Sequence, residues 1–333
     1  MNEFPYYITK YFGEYLPLHV GVSPNTGKSY RDTFVQLLTF MESQYGIKPE
    51  KVILEVFTAD KIEAFLLYLE EIRKVSVSSR NQRLAAIHSF CKYLQKKELS
   101  CFERCASIIA IPYKKTPEAP VTYLSLEEAQ LLFSLPDTKG KKGVRDLTIM
   151  ILLYETGARV QELLELTRPQ IKFGNTPSVE LHGKGNKSRL VPISHDVADI
   201  SKNYMMAYNI EGEHELLFTN NRHEALTRAG IQFIISKYVE MGRKIHPDYY
   251  RKKISSHSFR HSKAMHLLEA GVNLIYIRDF LGHASITTTE IYAKTNPDIK
   301  RKYITENSAS FSTSVKYSHK EKEDLLNWLK RNI

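Results

Sequence analysis

A proline-rich segment near the middle of the chain constrains the fold more than any other feature. Residues 111–126 contain three prolines interleaved with two lysines. Prolines lack a backbone donor and stop helices, so the segment is predicted to be an extended basic linker. The chain of 333 residues is also long enough for two domains of about 150 residues each. We therefore expect one domain over residues 1–112, a linker over 113–122 and a second domain over 123–333.

The first part of the chain carries apolar residues at helical spacing in three segments. One segment spans residues 29–45, and the others follow Thr58 and either Ser78 or Ser79, where a hydroxyl side chain suits a helix start. Each segment has one apolar stripe and a polar opposite face, which is typical of helices that pack on one side. We therefore expect a small helical bundle.

The second part predicts helices together with one β-hairpin. Ser125 precedes an acidic first turn, and residues 147–154 are apolar nearly all round, which is typical of a buried central helix. Residues 179–182 and 189–193 flank a glycine-containing turn, which is the pattern of a β-hairpin, and helices return after Ser256. The predicted fold class is mainly α, with a small antiparallel sheet in a second domain that is α+β and mostly helical.

The composition narrows the class of partner. There are 47 Lys and Arg residues against 37 Asp and Glu, a net charge of +10, which favours polyanions such as nucleic acid. Three scattered cysteines do not suggest a disulfide framework, so a reducing cytoplasmic setting is expected. No apolar run is long enough to cross a bilayer, and the first residues lack the apolar region of a signal peptide. Membrane and secreted classes are therefore not expected.

Two short segments place cations where a phosphate could bind. Arg159 follows Gly157 and opens a helix, whose free N–H groups and dipole favour an anion. The same arginine could instead cap the helix or pair with Glu162. Lys184 lies in the predicted hairpin turn between two glycines, where a lysine could give a proton to a leaving oxygen. That turn could equally be a solvated basic loop.

A third segment combines imidazoles with an arginine. Ser256 is the predicted cap of a helix, and His257 and Arg260 lie on one face of its first turn. The imidazole suits proton transfer, and the guanidinium suits phosphate binding. His257 and His261 also have the spacing of two zinc ligands. Zinc is disfavoured because Ser258 stands where a zincin motif has glutamate, and no cysteine or acidic ligand is nearby.

The fourth segment ends in a tyrosine. Gly282 ends a predicted helix, His283 follows it, and several threonines precede Tyr292 on a short helix. The chain has 20 tyrosines, so a structural role is the simpler interpretation of any one of them. Tyr292 stands out only in combination with the other three segments.

Together these segments resemble the tyrosine site-specific recombinase (phage integrase) family. The matching strings are TGARVQEL, HGKGNKSRLVPI, HSFRH and LGHASITTTEIYAK, in this order over most of residues 121–300. In the first part, NTGKSYRDTFVQLLTFM and SSRNQRLAAIHSFCKYL resemble the core-binding domain of the family more weakly. The resemblance implies an N-terminal DNA-binding domain and a C-terminal catalytic domain.

The resemblance implies a catalytic set and a mechanism. The six positions are Arg159, Lys184, His257, Arg260, His283 and Tyr292. The two arginines would hold one DNA phosphate while Tyr292 attacks it and forms a 3′-phosphotyrosine. His257 would act as the base, Lys184 would protonate the leaving 5′-oxygen and His283 would bind the phosphate. Since the covalent link keeps the energy of the phosphodiester, no metal, cofactor or ATP is expected.

The implied partner is double-stranded DNA held between two basic domains. The candidate DNA contacts are Lys28, Arg31, Arg80, Arg83, Lys187 and Arg189. A homotetramer on two recombination sites is expected from the habit of the family. The tail segment Asp324–Lys330 could dock on a neighbouring protomer in trans or pack in cis.

Several functions remain compatible with the sequence. The long tail favours a mobile-element integrase or transposase, acting at the nucleoid, over a chromosome-dimer-resolving Xer-type recombinase. A DNA-binding regulator that lost catalysis is a different class, although such a protein would not need Tyr292. A metal-dependent phosphodiesterase and a type IB topoisomerase are further alternatives.

Overall fold

The computed structural model divides the chain into two compact units, Met1–Ala119 and Pro120–Ile333. It describes residues 3–116, 121–183, 187–220, 222, 224–282, 289–290, 292, 327 and 330–331. The division falls inside the predicted linker. No helix in the described part of the chain has the length and apolar character needed to cross a membrane.

The first unit is helical, as its sequence pattern predicts. Its α-helices are α1 Glu3–Lys10, α2 Pro24–Tyr45, α3 Ala59–Glu71, α4 Val77–Lys97 and α5 Phe102–Ile109. A π-helix, Tyr11–Val20, continues directly from α1 and ends at Gly21 in the left-handed conformation. Short 3₁₀ turns lie at Pro49–Lys51, Leu54–Val56 and Leu99–Cys101.

Aromatic side chains form the centre of the first unit. The ring of Phe90 on α4 lies within 6 Å of the rings of Phe4, Tyr11, Phe34 and Phe57, mostly edge to face. All five side chains are buried. Such arrangements add specific ring contacts to the free energy of burying large apolar surfaces. This cluster joins α1, the π-helix and α2 to α4.

The second unit is mostly helical with one small sheet. Its helices are α6 Leu126–Ser134, α7 Lys141–Glu155, α8 Val160–Leu164, α9 His195–Tyr208, α10 Arg228–Ile245, α11 Ser256–Glu269 and α12 Leu274–Leu281. Its strands are β1 Ile171–Lys172, β2 Ser178–Gly183 and β3 Lys187–Pro192, and a 3₁₀ turn lies at Arg168–Gln170. The predicted mainly α fold class is therefore confirmed.

The sheet is antiparallel, with strand order β1-β2-β3. Val179 pairs with Ile171 on one side and with Val191 on the other, and all three are buried in the core of the second unit. The sequence predicted the β2-β3 hairpin but not β1, because two residues are too short to show an alternating pattern. Gly183 pairs with Lys187, and residues 184–186 of the predicted turn lie outside the described part of the chain.

One helix start matches the sequence prediction, and two others differ from it by one to three residues. Ser125 forms the predicted cap of α6, with a reciprocal bond from the Ser125 amide to Glu128. Helix α4 starts after Ser76, whose hydroxyl accepts a hydrogen bond from the amide of Ser79. Helix α11 likewise has Ser255 rather than Ser256 as its cap. Where several serines lie within a few residues of each other, the sequence does not determine which of them caps the helix.

Candidate active site

Three arginines converge on the carboxyl end of α12. Arg189 donates to the carbonyl of Phe280 at 3.0 Å, Arg260 to that of Leu281 at 2.6 Å and Arg159 to that of Gly282 at 3.1 Å. The last carbonyls of a helix lack partners within the helix, and they carry its negative partial charge. The end of α12 therefore gathers three guanidinium groups that come from three different segments of the second unit.

A buried carboxylate joins two of these arginines. Glu162 on α8 accepts from Arg159 at 2.7 Å and from both terminal nitrogens of Arg189 at 3.0 and 2.7 Å. It also accepts from the backbone amide of Arg159 at 2.8 Å, at the start of α8. The side chain of Glu162 is only 4% exposed. Three charge-assisted bonds hold the two guanidinium groups and the fourth holds the backbone of Arg159, which ties β3 to the start of α8.

Two glycines permit this close packing. Gly157 has a φ of +56°, and a Cβ there would lie 2.9 Å from the side chain of Leu281. The carbonyl of Gly157 accepts from Arg260 at 2.6 Å. Gly282 ends α12 with a φ of +64°, and a Cβ there would meet the guanidinium of Arg189 at 3.1 Å. Only glycine adopts this conformation at both positions without strain.

The site has an excess of positive charge. Arg159, Arg189 and Arg260 surround the single carboxylate of Glu162. Burial, together with the charges of Arg159 and Arg189, lowers the pKa of Arg260 to about 9. Burial opposes ionisation of Glu162, but its hydrogen bonds to Arg189 and Arg159 still hold the pKa of that carboxyl below its ordinary value. A site with this surplus charge favours a bound anion such as a phosphate.

The exposure of the two predicted clamp arginines differs. Arg159 has a side chain that is 38% exposed, so its guanidinium is open to a ligand while Glu162 holds it. Arg260 is 1% exposed and is fixed between the carbonyls of Gly157 and Leu281. Each of its two terminal nitrogens bears a second N–H group that these bonds leave available.

The histidines of α11 lie next to the tyrosine. His261 Nδ1 is 2.9 Å from the hydroxyl oxygen of Tyr292. The ring of His257 lies edge to face with that of His261, with centroids 4.7 Å apart. The surrounding protein and the charges of Arg260 and Arg159 lower the pKa of the His257 imidazole, whose residue is nevertheless exposed at the surface. The imidazole that contacts the tyrosine is therefore that of His261, and the role of His257 as the base stays a prediction.

The side chain of Tyr292 is buried. It is 1% exposed, and it belongs to an apolar cluster with residues of α11 and α12. Burial raises the pKa of its phenol, although the charge of Arg260 opposes that effect. The phenol is therefore neutral near pH 7 in this state, and its oxygen faces an imidazole rather than solvent.

Some predicted residues lie outside the described part of the chain. They include Lys184 and His283 of the catalytic set. Of the tail segment Asp324–Lys330 the structure describes only Asn327 and Lys330, both helical. Among the residues that the structure does describe, no group of three or more His, Cys, Asp or Glu side chains is arranged to hold a metal ion.

The structure gives two of the predicted DNA contacts a different environment. Arg189 is 12% exposed and is bound to Glu162 and Phe280. Arg80 is 6% exposed, lies 3.7 Å from Glu70 and donates to the carbonyl of Pro112 at 3.0 Å. Both side chains thus hold parts of their own unit together, and this burial disfavours the prediction that they contact DNA.

The other predicted DNA contacts are more accessible. Lys28 and Arg31 are exposed on α2, and Lys187 is exposed at the start of β3. Arg83 on α4 is half-buried, with a nitrogen 3.5 Å from the hydroxyl of Thr33. Their contact with DNA stays a prediction.

Three residues of the site had weaker signals in the sequence. The sequence indicated Glu162 only as a possible partner of Arg159, and Arg189 only as a candidate DNA contact. His261 entered only as a possible zinc ligand. The signals were present as a glutamate three residues after Arg159 and a histidine directly after Arg260. Neither spacing reveals which side chains meet in the folded unit.

Comparison with known proteins identifies the family. The profile of the Phage integrase family matches residues 122–298, and that of the phage integrase N-terminal SAM-like domain matches residues 10–101. The chain belongs to the phage integrase family. The resemblance found in the sequence is thereby confirmed. The predicted enzyme class, a tyrosine recombinase that breaks and rejoins DNA, is confirmed as well.

Curated relatives of this integrase-family chain cover most of its length. The tyrosine recombinase XerC of Syntrophus aciditrophicus is 31% identical over 297 residues, covering 86% of this chain and 92% of that protein. The protein y4rC of Sinorhizobium fredii, named as an integrase/recombinase, is 33% identical over 295 residues, covering 89% of each.

Solved structures share the fold of this family member. The Tn1549 transposon integrase in complex with transposon right-end DNA has a TM-score of 0.67 at 17% identity, over 90% of this chain and 98% of that chain. The XerH recombinase bound to palindromic difH DNA has a TM-score of 0.64 at 20% identity, over 85% of this chain and 80% of that chain. At these identities the likeness concerns the fold.

Proposed function

We propose that this recombinase cuts and rejoins double-stranded DNA at specific sites through a 3′-phosphotyrosine on Tyr292. The observation that carries the proposal is the packing of the buried Tyr292 against α11 and α12, the helix whose end binds three guanidinium groups. A regulator that only binds DNA does not need a tyrosine beside a phosphate-binding cluster.

The phosphate binds between Arg159 and Arg260 in this proposal. Their guanidinium groups neutralise its non-bridging oxygens and the additional charge of the pentavalent transition state. Glu162 and Arg189 keep the plane of Arg159 fixed without contacting the phosphate. Preorganised donors of this kind need no rearrangement when the charge develops, which is why they lower the barrier.

The covalent step exchanges one phosphoester for another. The oxygen of Tyr292 bonds to phosphorus while the bond from phosphorus to the 5′-oxygen breaks. A base, His257 in our proposal, accepts the phenolic proton, and Lys184 gives a proton to the departing 5′-oxygen, with His283 bound to the phosphate. Attack by another 5′-hydroxyl reverses these steps, so rejoining requires neither ATP nor a metal ion.

The biological setting follows by analogy with relatives. The protein acts as the integrase or transposase of a mobile element, as a homotetramer on two DNA sites in the cytoplasm, associated with the nucleoid. Lys28, Arg31 and Lys187 contact DNA phosphates. The tail segment Asp324–Lys330 docks on a neighbouring protomer in trans.

A covalent-trapping assay tests this function. The substrate is a duplex from the flanks of the gene's own element, nicked near the presumed crossover so that the cleaved end diffuses away. Wild type and Tyr292→Phe are incubated in EDTA and separated on denaturing gels. An adduct with wild type alone supports the proposal. Specific binding by wild type without an adduct, or an adduct that persists in Tyr292→Phe, contradicts it.

A further inference from the structure

The hydroxyl of Tyr292 has an imidazole partner that the proposed chemistry does not use. His261 Nδ1 lies 2.9 Å from this oxygen, within hydrogen-bond distance. His261 follows Arg260 directly, and its ring contacts both Tyr292 and His257. It is therefore the only residue of α11 whose ring touches both the proposed nucleophile and the proposed base in the described part of the site.

The ring of Tyr292 is held in an apolar environment. It packs in one cluster with buried residues of α11 and α12, namely Ala264, Met265, Leu268, Ile277 and Leu281. At 1% exposure, the side chain is closed to solvent, and its oxygen faces His261. The nucleophile must therefore leave this position before it can attack, and the contact with His261 must break when it does.

We propose that His261 is a positioning residue that holds Tyr292 in a withdrawn state until DNA is bound. The inference rests on the proposed role of Tyr292 as the nucleophile. The phenol donates its proton to Nδ1, and the bond exists only in the withdrawn state. It therefore lowers the free energy of the resting protein and adds to the barrier for attack.

The electrostatics of the site favour this direction of donation. Burial, together with the charges of His257 and Arg260, lowers the pKa of His261 to about 4. The ring is therefore neutral near pH 7, and one of its nitrogens is an acceptor. The phenol of Tyr292 stays protonated because burial raises its pKa. A neutral phenol and a neutral imidazole thus form one hydrogen bond, with the imidazole proton on Nε2.

The same helix contains a matched control. His266 Nδ1 lies 2.8 Å from the hydroxyl of Tyr154, and its Nε2 lies 3.0 Å from the carbonyl of Leu124. Because a carbonyl only accepts, Nε2 of His266 is the protonated nitrogen and Nδ1 accepts from the phenol. This pair has the same chemistry as His261 with Tyr292, but it lies outside the proposed catalytic set.

Nitrogen NMR of the histidine rings in the DNA-free full chain tests the contact. His261→Phe assigns the ring signals, and Tyr292→Phe then removes the phenol. We expect Nδ1 of His261 to be unprotonated and its chemical shift to change in Tyr292→Phe but not in Tyr154→Phe. Tyr154→Phe should instead change the Nδ1 shift of His266. A protonated Nδ1 on His261, or an Nδ1 chemical shift that is the same in wild type and Tyr292→Phe, overturns the proposal.

The rate of adduct formation tests the consequence. With nicked duplex and saturating protein, His261→Phe is expected to form the adduct about three- to tenfold faster, the effect of losing one net hydrogen bond from the resting state. His261→Asn, which keeps an acceptor near the position of Nδ1, should return towards the wild-type rate, and Tyr154→Phe should match wild type. An unchanged or slower rate for His261→Phe, at equal DNA affinity, refutes the holding role.

The two measurements separate this inference from the proposed function. If wild type forms no adduct at all, the assignment of Tyr292 as the nucleophile fails. The NMR experiment needs neither DNA nor activity, so it decides by itself whether His261 holds the phenol. Circular dichroism of each variant verifies that it has folded, and His261→Asn supplies a milder change if His261→Phe does not fold.

Discussion

Arg189 binds Glu162 through both of its terminal nitrogens, at 3.0 and 2.7 Å, while its Nε–H donates to the carbonyl of Phe280 at 3.0 Å. One planar side chain therefore connects β3 with α8 and with the end of α12. Arg189 and Arg159 both donate to the carboxylate of Glu162. Its position links the geometry of the proposed phosphate site to the stability of the second unit.

Replacing Glu162 by alanine should lower both stability and activity. The change leaves Arg189 buried without its carboxylate, and losing one partner of a buried ion pair costs about 3–5 kcal/mol of unfolding free energy. Urea unfolding measures this cost. Asp248→Ala breaks the exposed pair with Arg251, so we expect a change within about 0.5 kcal/mol. Equal effects of the two substitutions would contradict the role of Glu162.

Replacing Arg189 by lysine should be costly even though the charge remains. An ammonium group is a point charge, whereas the guanidinium matches two carboxylate oxygens and a carbonyl at once. We expect a loss of about 1–3 kcal/mol in unfolding free energy and slower adduct formation. Lys187→Gln, two residues earlier on the same strand and exposed, should leave stability unchanged. A fully stable, fully active Arg189→Lys protein would rule out the bidentate role.

Substitutions of surface cations and of buried cations in the first unit should have different effects on DNA binding and on stability. Lys28→Gln should weaken DNA binding about equally for all sequences and reduce the salt slope by about 1, with no change in stability. Arg80→Ala should destabilise the unit, because it removes the donor to Pro112 and the buried one of the two cations beside Glu70, leaving only Lys114. Salt-dependent binding and thermal unfolding of each variant distinguish the two roles. If Arg80→Ala weakened DNA binding and left stability unchanged, Arg80 would be a DNA contact after all.

Gly157→Ala should destabilise the second unit. The positive φ and the 2.9 Å approach to Leu281 both oppose a Cβ at this position. We expect a loss of about 1–3 kcal/mol by chemical denaturation. Gly27→Ala is the matched control, because Gly27 lies in α2 with no atom within 4 Å of its Cβ position. That substitution should be neutral or slightly stabilising, and a cost equal to that of Gly157→Ala would argue against strain.

The low pKa of His261 predicts a pH dependence of stability. Its folded-state pKa of about 4 lies below the ordinary value of 6.5. Between these values the unfolded chain binds the proton more readily, so the contribution of His261 is present above pH 6.5 and is lost as pH falls towards 4. The difference in unfolding free energy between wild type and His261→Phe should therefore shrink over this window. A difference independent of pH would show that His261 titrates normally in the folded protein.

The sequence predicted the architecture and half of the site, and the reasons are specific. Arg159, Arg260 and Tyr292 each lie in a local motif, so their candidacy needed no tertiary information. The role of Arg189 depends on meeting Glu162, 27 residues earlier, and Phe280, 91 residues later. Helical spacing does not encode such distant contacts. The sequence therefore predicted Arg189 as a DNA contact, although the fold leaves its side chain only 12% exposed.

The most direct test of the central claim is to identify the residue that becomes attached to DNA. The wild-type adduct from a nicked duplex is digested with nuclease and protease, and the remaining nucleotide-linked peptide is sequenced by tandem mass spectrometry. We predict a nucleotide joined through its 3′-phosphate to Tyr292 and to no other tyrosine. A link to a different residue, or a phosphate attached through the 5′ end, would contradict the mechanism.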